Sequence, residues 1–81
     1  MIKTVFIPLS QSKIDKEYKI FKVNSNDNPI FRRMMDIGIM PGTVIKVLHE
    51  SASKNLKAYK IRGAVIALRD NDASKIIAYE I

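Results

Sequence analysis

The sequence predicts a small, mainly β protein: a partly open β-barrel of five to six short strands with one short α-helix at about residues 29–37. Three observations carry this expectation. Runs of β-branched and aromatic residues recur along the chain, separated by turn-forming residues at spacings of about 8–12 residues. One stretch alone, beginning at Pro29, places apolar residues at helical spacing. The chain has 81 residues, 47% hydrophobic and 27% charged, enough apolar matter for one core and too little length for two. Residues 1–81 therefore read as a single domain.

Taken in order, Ile2 to Ile7 is a strand that stops at Pro8, followed by a brief helical turn around Leu9 to Ser12. Tyr18 to Val23 is a second strand with Tyr18 and Ile20 on one side and Lys19, Phe21 and Val23 on the other; the imperfect polarity split points to a bulge. Asn28 is a good N-cap and Pro29 suits the first helical position, where its missing N–H costs nothing. Ile30, Met34 and Ile37 then form one apolar stripe, and Gly38 supplies the left-handed residue that ends such a helix, with Ile39 packing behind it. In Met40-Pro41-Gly42-Thr43, Pro second and Gly third fit a type II turn. Thr43 to His49 and Leu56 to Ile61 form a hairpin around the polar loop Ser51 to Asn55. Arg62-Gly63 turns the chain tightly into Ala64 to Leu68, with Ile66 and Leu68 on the core side. Asp70 to Ser74 is a polar helical turn before the closing strand Lys75 to Ile81.

The net charge is +6, spread evenly, with seven Lys/Arg against four Asp/Glu both in residues 1–37 and in residues 38–81. Acidic partners are favoured by such a balance, and a solvated surface is its plainest meaning. No apolar run approaches the about 20 residues that a bilayer requires, so a cytoplasmic protein is expected. There is no cysteine, which removes disulfides, thiolate metal sites and thiol nucleophiles.

Enzyme chemistry lacks its parts. The three glycines, Gly38, Gly42 and Gly63, build no phosphate-cradling loop. His49 is the one imidazole, and no carboxylate is positioned by the sequence to orient it toward Ser51 or Ser53. Neither Asp70 nor Asn24 starts a calcium loop with Gly and Glu at the required offsets. No cofactor is expected; a weak divalent-ion site combining His49 with turn carboxylates is the lesser alternative. Lys19, Lys22, Lys57, Lys60 and Arg62, with Phe21 and Tyr59 nearby, form a pattern that would stack bases on a barrel face. Three Phe and three Tyr are also what a core of this size consumes.

The segment from Arg32 to Val47, reading RRMMDIGIMPGTVIKV, followed by Gly63-Ala64-Val65-Ile66-Ala67-Leu68-Arg69 and then Ala73 and Ile76, resembles the ferrous iron transport protein A (FeoA) family. The resemblance covers most of residues 9–78 and has two blocks in the right order. Physically, its Gly38, Pro41, Gly42, Gly63 and Leu68 are structural: they stop the helix, turn the chain and face the core. The resemblance implies an SH3-like small barrel. It also implies a cytoplasmic accessory or regulatory module, not an enzyme, that binds an FeoB-type membrane iron transporter through its cytosolic GTP-binding portion, with no nucleic acid and no membrane insertion. Arg33, Met35, Met40 and Arg69 are the partner-binding candidates, the arginines as charged residues of the blocks and the methionines as their adaptable apolar flanks. A nucleic-acid-binding barrel and a direct divalent-metal sensor are the alternatives. Two regions depart from the family pattern, Ile14-Asp15-Lys16 and the hairpin tip Ser51 to Asn55. The N-terminal strand is expected to cover a barrel edge or pair with another copy.

Overall fold

The protein, described by a computed structural model, is placed over residues 4–24 and 29–81, with the backbone alone for 29–31 and 34. Its elements are β1 (Phe6–Pro8), a 3-10 turn (Leu9–Gln11), β2 (Glu17–Val23), α1 (Pro29–Asp36), β3 (Val44–Glu50), β4 (Leu56–Ile61), β5 (Ala64–Arg69), α2 (Asp70–Ala73) and β6 (Ile76–Glu80). The six strands form one antiparallel sheet in the order β1-β6-β2-β3-β4-β5. That is the SH3-like small β fold of five to six strands expected from the sequence, with α1 as its one longer helix and the expected polar helical turn after β5 formed by α2. Of the first expected strand, Phe6 and Ile7 are strand and Thr4 and Val5 are not, while residues 1–3, like the Asn28 cap, lie outside the described residues. Pro8 is itself the last residue of β1, paired with Ile77, on an edge strand where proline is tolerated. The strand covers the β6 edge, as one of the two expected arrangements requires.

The local turn chemistry accounts for the connections. Gly38 has φ +96° and donates to the Met35 carbonyl at 3.1 Å, which terminates α1. Gly42 has φ +92° while Thr43 N–H donates to Met40 O at 3.0 Å, the type II turn read from Pro41-Gly42. Arg62 and Gly63 are both left-handed, at φ +51° and +83°, as a two-residue hairpin between paired Ile61 and Ala64 demands.

Inside the curl, Leu9, Tyr18, Ile20, Ile39, Ile45, Val47, Tyr59, Ile61 and Ile76 are almost fully buried. Two register shifts decide which residues join them. Between Ile20 and Lys22 the bulge leaves Phe21 as the extra residue, so Val23 pairs with Ile76 on the core side and Lys22 turns outward beside Phe21. This reverses the sequence expectation for Val23. Between Val47 and His49 a second shift ends the alternation, and His49 is exposed. The helix stripe is corrected too: Ile37 is 37% exposed, and Ile39, past the glycine, takes the core position.

Lys57 and Tyr59 are the main reversal. Both were candidates for a solvent-facing binding face, yet Lys57 is 6% exposed and Tyr59 is fully buried. The Lys57 ammonium donates to the carbonyls of Ser10 at 2.6 Å and Ser12 at 2.8 Å. Tyr59 Oη donates toward Leu9 O at 3.5 Å, the same carbonyl that accepts from Ser12 N–H and Oγ. A base-stacking face built on these two side chains is therefore excluded.

Removing the ammonium would strand two carbonyls of the 3-10 turn, so Lys57→Ala should cost about 2–3 kcal/mol in urea unfolding, with Lys57→Met recovering part through its stem. Burial pushes the Tyr59 hydroxyl from 10.0 up to about 12; the nearby Ser12 hydroxyl opposes this, and the charges of Asp70 and Glu50 add to it. The neutral phenol is thus favoured by folding. Its contribution is whole below pH 10 and is lost as pH rises toward about 12. Urea midpoints across this window should fall more steeply for the wild type than for Tyr59→Phe.

Candidate functional site

Where α1 ends, its last turn faces the outermost strand β5. The helix end is held from two sides. Thr43 Oγ1 donates to the Gly38 carbonyl at 2.8 Å, and the Arg62 side chain lies so close that a Cβ on residue 38 would stand 3.0 Å from its Cδ. Between helix and strand runs a groove of about 290 Å³, walled by Arg33 and Ile37 on one side and Ile66 to Arg69 on the other, with Leu56 and Asp72 at its end. Leu68 forms part of its floor and also belongs to the core.

A second depression of about 540 Å³ adjoins it, between Asn55, Leu56, Arg69, Asp70 and Asn71. Its shape comes from the hairpin tip. Ser51 N–H donates to Leu56 O at 2.8 Å, Ser53 Oγ to Asn55 Oδ1 at 2.7 Å, and Asp70 N–H to Asn55 O at 2.9 Å, which ties the tip to the start of α2. A third depression of about 260 Å³ lies between His49, Ser51, Leu56, Lys57, Ala58 and Ala67. Leu56 is the ridge common to all three. Leu56 pairs directly with Arg69, so the apolar ridge and the guanidinium share one face of the β4–β5 hairpin.

The four partner-binding candidates divide. Arg33 and Arg69, 36 positions apart in sequence, border the same groove. Met35 is 39% exposed and Met40 half-buried, and neither borders it. Gly38, Pro41, Gly42, Gly63 and Leu68 stand in the turns and core where the sequence put them. Ile37 and Leu56 were missed as groove residues. Ile37 was absorbed into the helix stripe, and Leu56 is legible as the neighbour of Arg69 only once the β4–β5 register is known. His49 shares its depression with Ser51 and Lys57, and among the described residues no three His, Cys, Asp or Glu side chains converge.

Two guanidinium groups flanking an apolar floor suit an apolar side chain carried between carboxylates. The outer edge of β5 has no strand neighbour among the described residues, so its backbone groups are open to an added strand. No described helix is long and apolar enough to cross a membrane.

A family model described as the FeoA domain matches residues 7–79. Among solved structures, an FeoA-like protein from Clostridium acetobutylicum is 26% identical with a TM-score of 0.83, the match covering 100% of this chain and 91% of that one. FeoA from Chlorobium tepidum is 24% identical with a TM-score of 0.85, covering 93% and 70% of the two chains. A manganese-dependent transcriptional repressor solved with manganese is 19% identical with a TM-score of 0.82, over 94% of this chain and 37% of that one, and shares the fold alone. No curated protein sequence matches significantly.

Gly38 is the joint on which the groove's helical wall turns, and both its positive φ and the Arg62 contact oppose a side chain there. Gly38→Ala should destabilise the protein by about 1–2 kcal/mol in urea unfolding and shift the backbone amide resonances of Arg62 and Ile37 together.

Proposed function

This chain belongs to the FeoA domain family, which is associated with ferrous iron uptake, and from that premise we propose that it is a non-catalytic accessory module binding an FeoB-type membrane iron transporter through the transporter's cytosolic GTP-binding portion. The observation that carries the reading is the groove between α1 and β5, bordered by Arg33 and Arg69 and opening onto a strand edge with no neighbour among the described residues. Such a groove offers three kinds of contact at once: backbone groups along β5, apolar surface at Leu68 and at the Leu56 ridge, and a positive charge on either side. The partner segment that fits is extended, apolar at its centre and acidic at its flanks. A cytoplasmic setting follows from this partner.

The surface is narrower than the four residues chosen from sequence. Arg33 and Arg69 carry the contact, while Met35, on α1, and Met40, in the turn after it, lie outside the groove. No cofactor enters the reading, and iron is the transporter's cargo.

Calorimetric titration with the transporter's purified GTP-binding portion tests it. Arg69→Glu and Arg33→Glu should each weaken binding about tenfold, equal to about 1.4 kcal/mol, and Met35→Ala by less than about twofold. Unchanged affinity in both reversals, with amide spectra intact, rejects the groove. No association at about 100 µM of each component rejects the transporter reading itself.

A further inference from the structure

On the far side of the sheet from the groove, the outer face of β1, β6 and β2 carries an aromatic cluster. Phe6 pairs with Tyr79 and Tyr79 with Lys19, so these three stand in one cross-strand row. In the next row Pro8 pairs with Ile77 and Ile77 with Lys22. The β2 bulge adds Phe21 between the rows, its ring centroid 4.5 Å from that of Phe6; Phe6 in turn meets Tyr79 edge-on at 5.6 Å. Phe6 and Phe21 remain 48% exposed despite this packing, and the adjoining Val5 is 64% exposed. The carboxylate that shares this face, Glu17, stands directly across from Lys46, and Glu80 pairs with Lys16 at 3.9 Å. Lys19 and Lys22 therefore border the aromatic cluster without a facing acid among these paired positions.

We propose that this face rests on an anionic lipid surface, with Phe6 and Phe21 entering the headgroup layer and Lys19 and Lys22 meeting lipid phosphates. Three features select that occupant. The cluster lies on the outer face of a curled sheet with Phe6 and Phe21 each about half exposed, so it presents protruding rings. Its rings are spent on one another, which leaves poor platforms for nucleobases, whereas apolar bulk between cations is what an interfacial contact uses. A second copy seated face to face would set two patches of the same positive sign against each other, a like-charge juxtaposition. The inference stands on this sheet face alone and does not rest on the transporter reading.

Co-sedimentation of the full chain with vesicles decides it. Binding to equimolar phosphatidylglycerol–phosphatidylcholine vesicles is expected, falling with added salt, with little binding to phosphatidylcholine alone. Lys22→Glu and Phe21→Ser should each lower partitioning about fivefold or more, while Lys13→Glu, the same charge change outside this face, should lower it by less than about twofold. Lys22 is exposed, so its variant keeps the fold readable by circular dichroism if Phe21→Ser does not. The proposal is overturned by absence of binding to anionic vesicles, by equal losses in Lys13→Glu and Lys22→Glu, or by unchanged binding in Lys22→Glu. Phe21-dependent self-association, or single-stranded DNA that displaces vesicles and depends on the same two residues, overturns it in favour of that occupant. Each result leaves the calorimetric test of the transporter reading unaffected.

Discussion

The grip of β4 on the 3-10 turn is the contact on which the barrel depends. In strand order, β1 and β4 are separated by β6, β2 and β3, and a flat sheet would keep them far apart. Yet the turn that leaves β1 offers the carbonyls of Leu9, Ser10 and Ser12 to Tyr59 and Lys57 on β4, across 45 to 50 positions of sequence. The sheet must curl for those donors to arrive, and curling is what encloses Ile20, Ile45, Val47 and Ile76. A buried ammonium is costly unless its protons are taken up. Here two carbonyls of one short turn do so, and the same bonds satisfy a backbone that a 3-10 turn leaves unpaired. Leu9, buried from the same turn, adds the apolar half of the closure.

What was legible in the sequence was local. Gly38, Pro41-Gly42 and Arg62-Gly63 announce their turns because the backbone torsions they permit are decided within a few residues. The strand pattern was legible until a bulge intervened. The shift at Phe21 left a trace, since Tyr18 to Val23 does not split cleanly by polarity, though the trace did not say that Val23 would move inward and Lys22 outward. The shift after Val47 left less, because Ile45, Val47 and His49 continue to alternate as letters after the backbone has stopped doing so. Lys57 was illegible for a different reason: nothing near it in the chain marks it as buried, and its acceptors are carbonyls, which every residue possesses.

The candidate groove was half legible on the same grounds. Arg33 and Arg69 were singled out by the motif blocks, and the fold brings them to one groove. The apolar residues between them were hidden by tertiary placement: Ile37 follows the helical spacing of a core residue but falls where the helix rides beside β5 and leaves it partly uncovered. The methionines, chosen for their adaptable chemistry, lie outside this groove, Met35 on α1 and Met40 in the turn after it.

The two margins of the sheet are unequal, and the inequality organises the surface. β1 contributes three residues, one of them Pro8, so its outer edge has little backbone to offer an added strand. β5 contributes six, none of them proline, with the groove running alongside. Strand addition is therefore practical at β5 alone of these two, and contact on the β1 side must be made by side chains. That is where the bulge has set Phe21 over Phe6 and turned Lys22 outward. On this view the bulge is the device that gives the sheet a second surface of a different kind: an in-register β2 would return Lys22 to the core side and separate it from the aromatic rings.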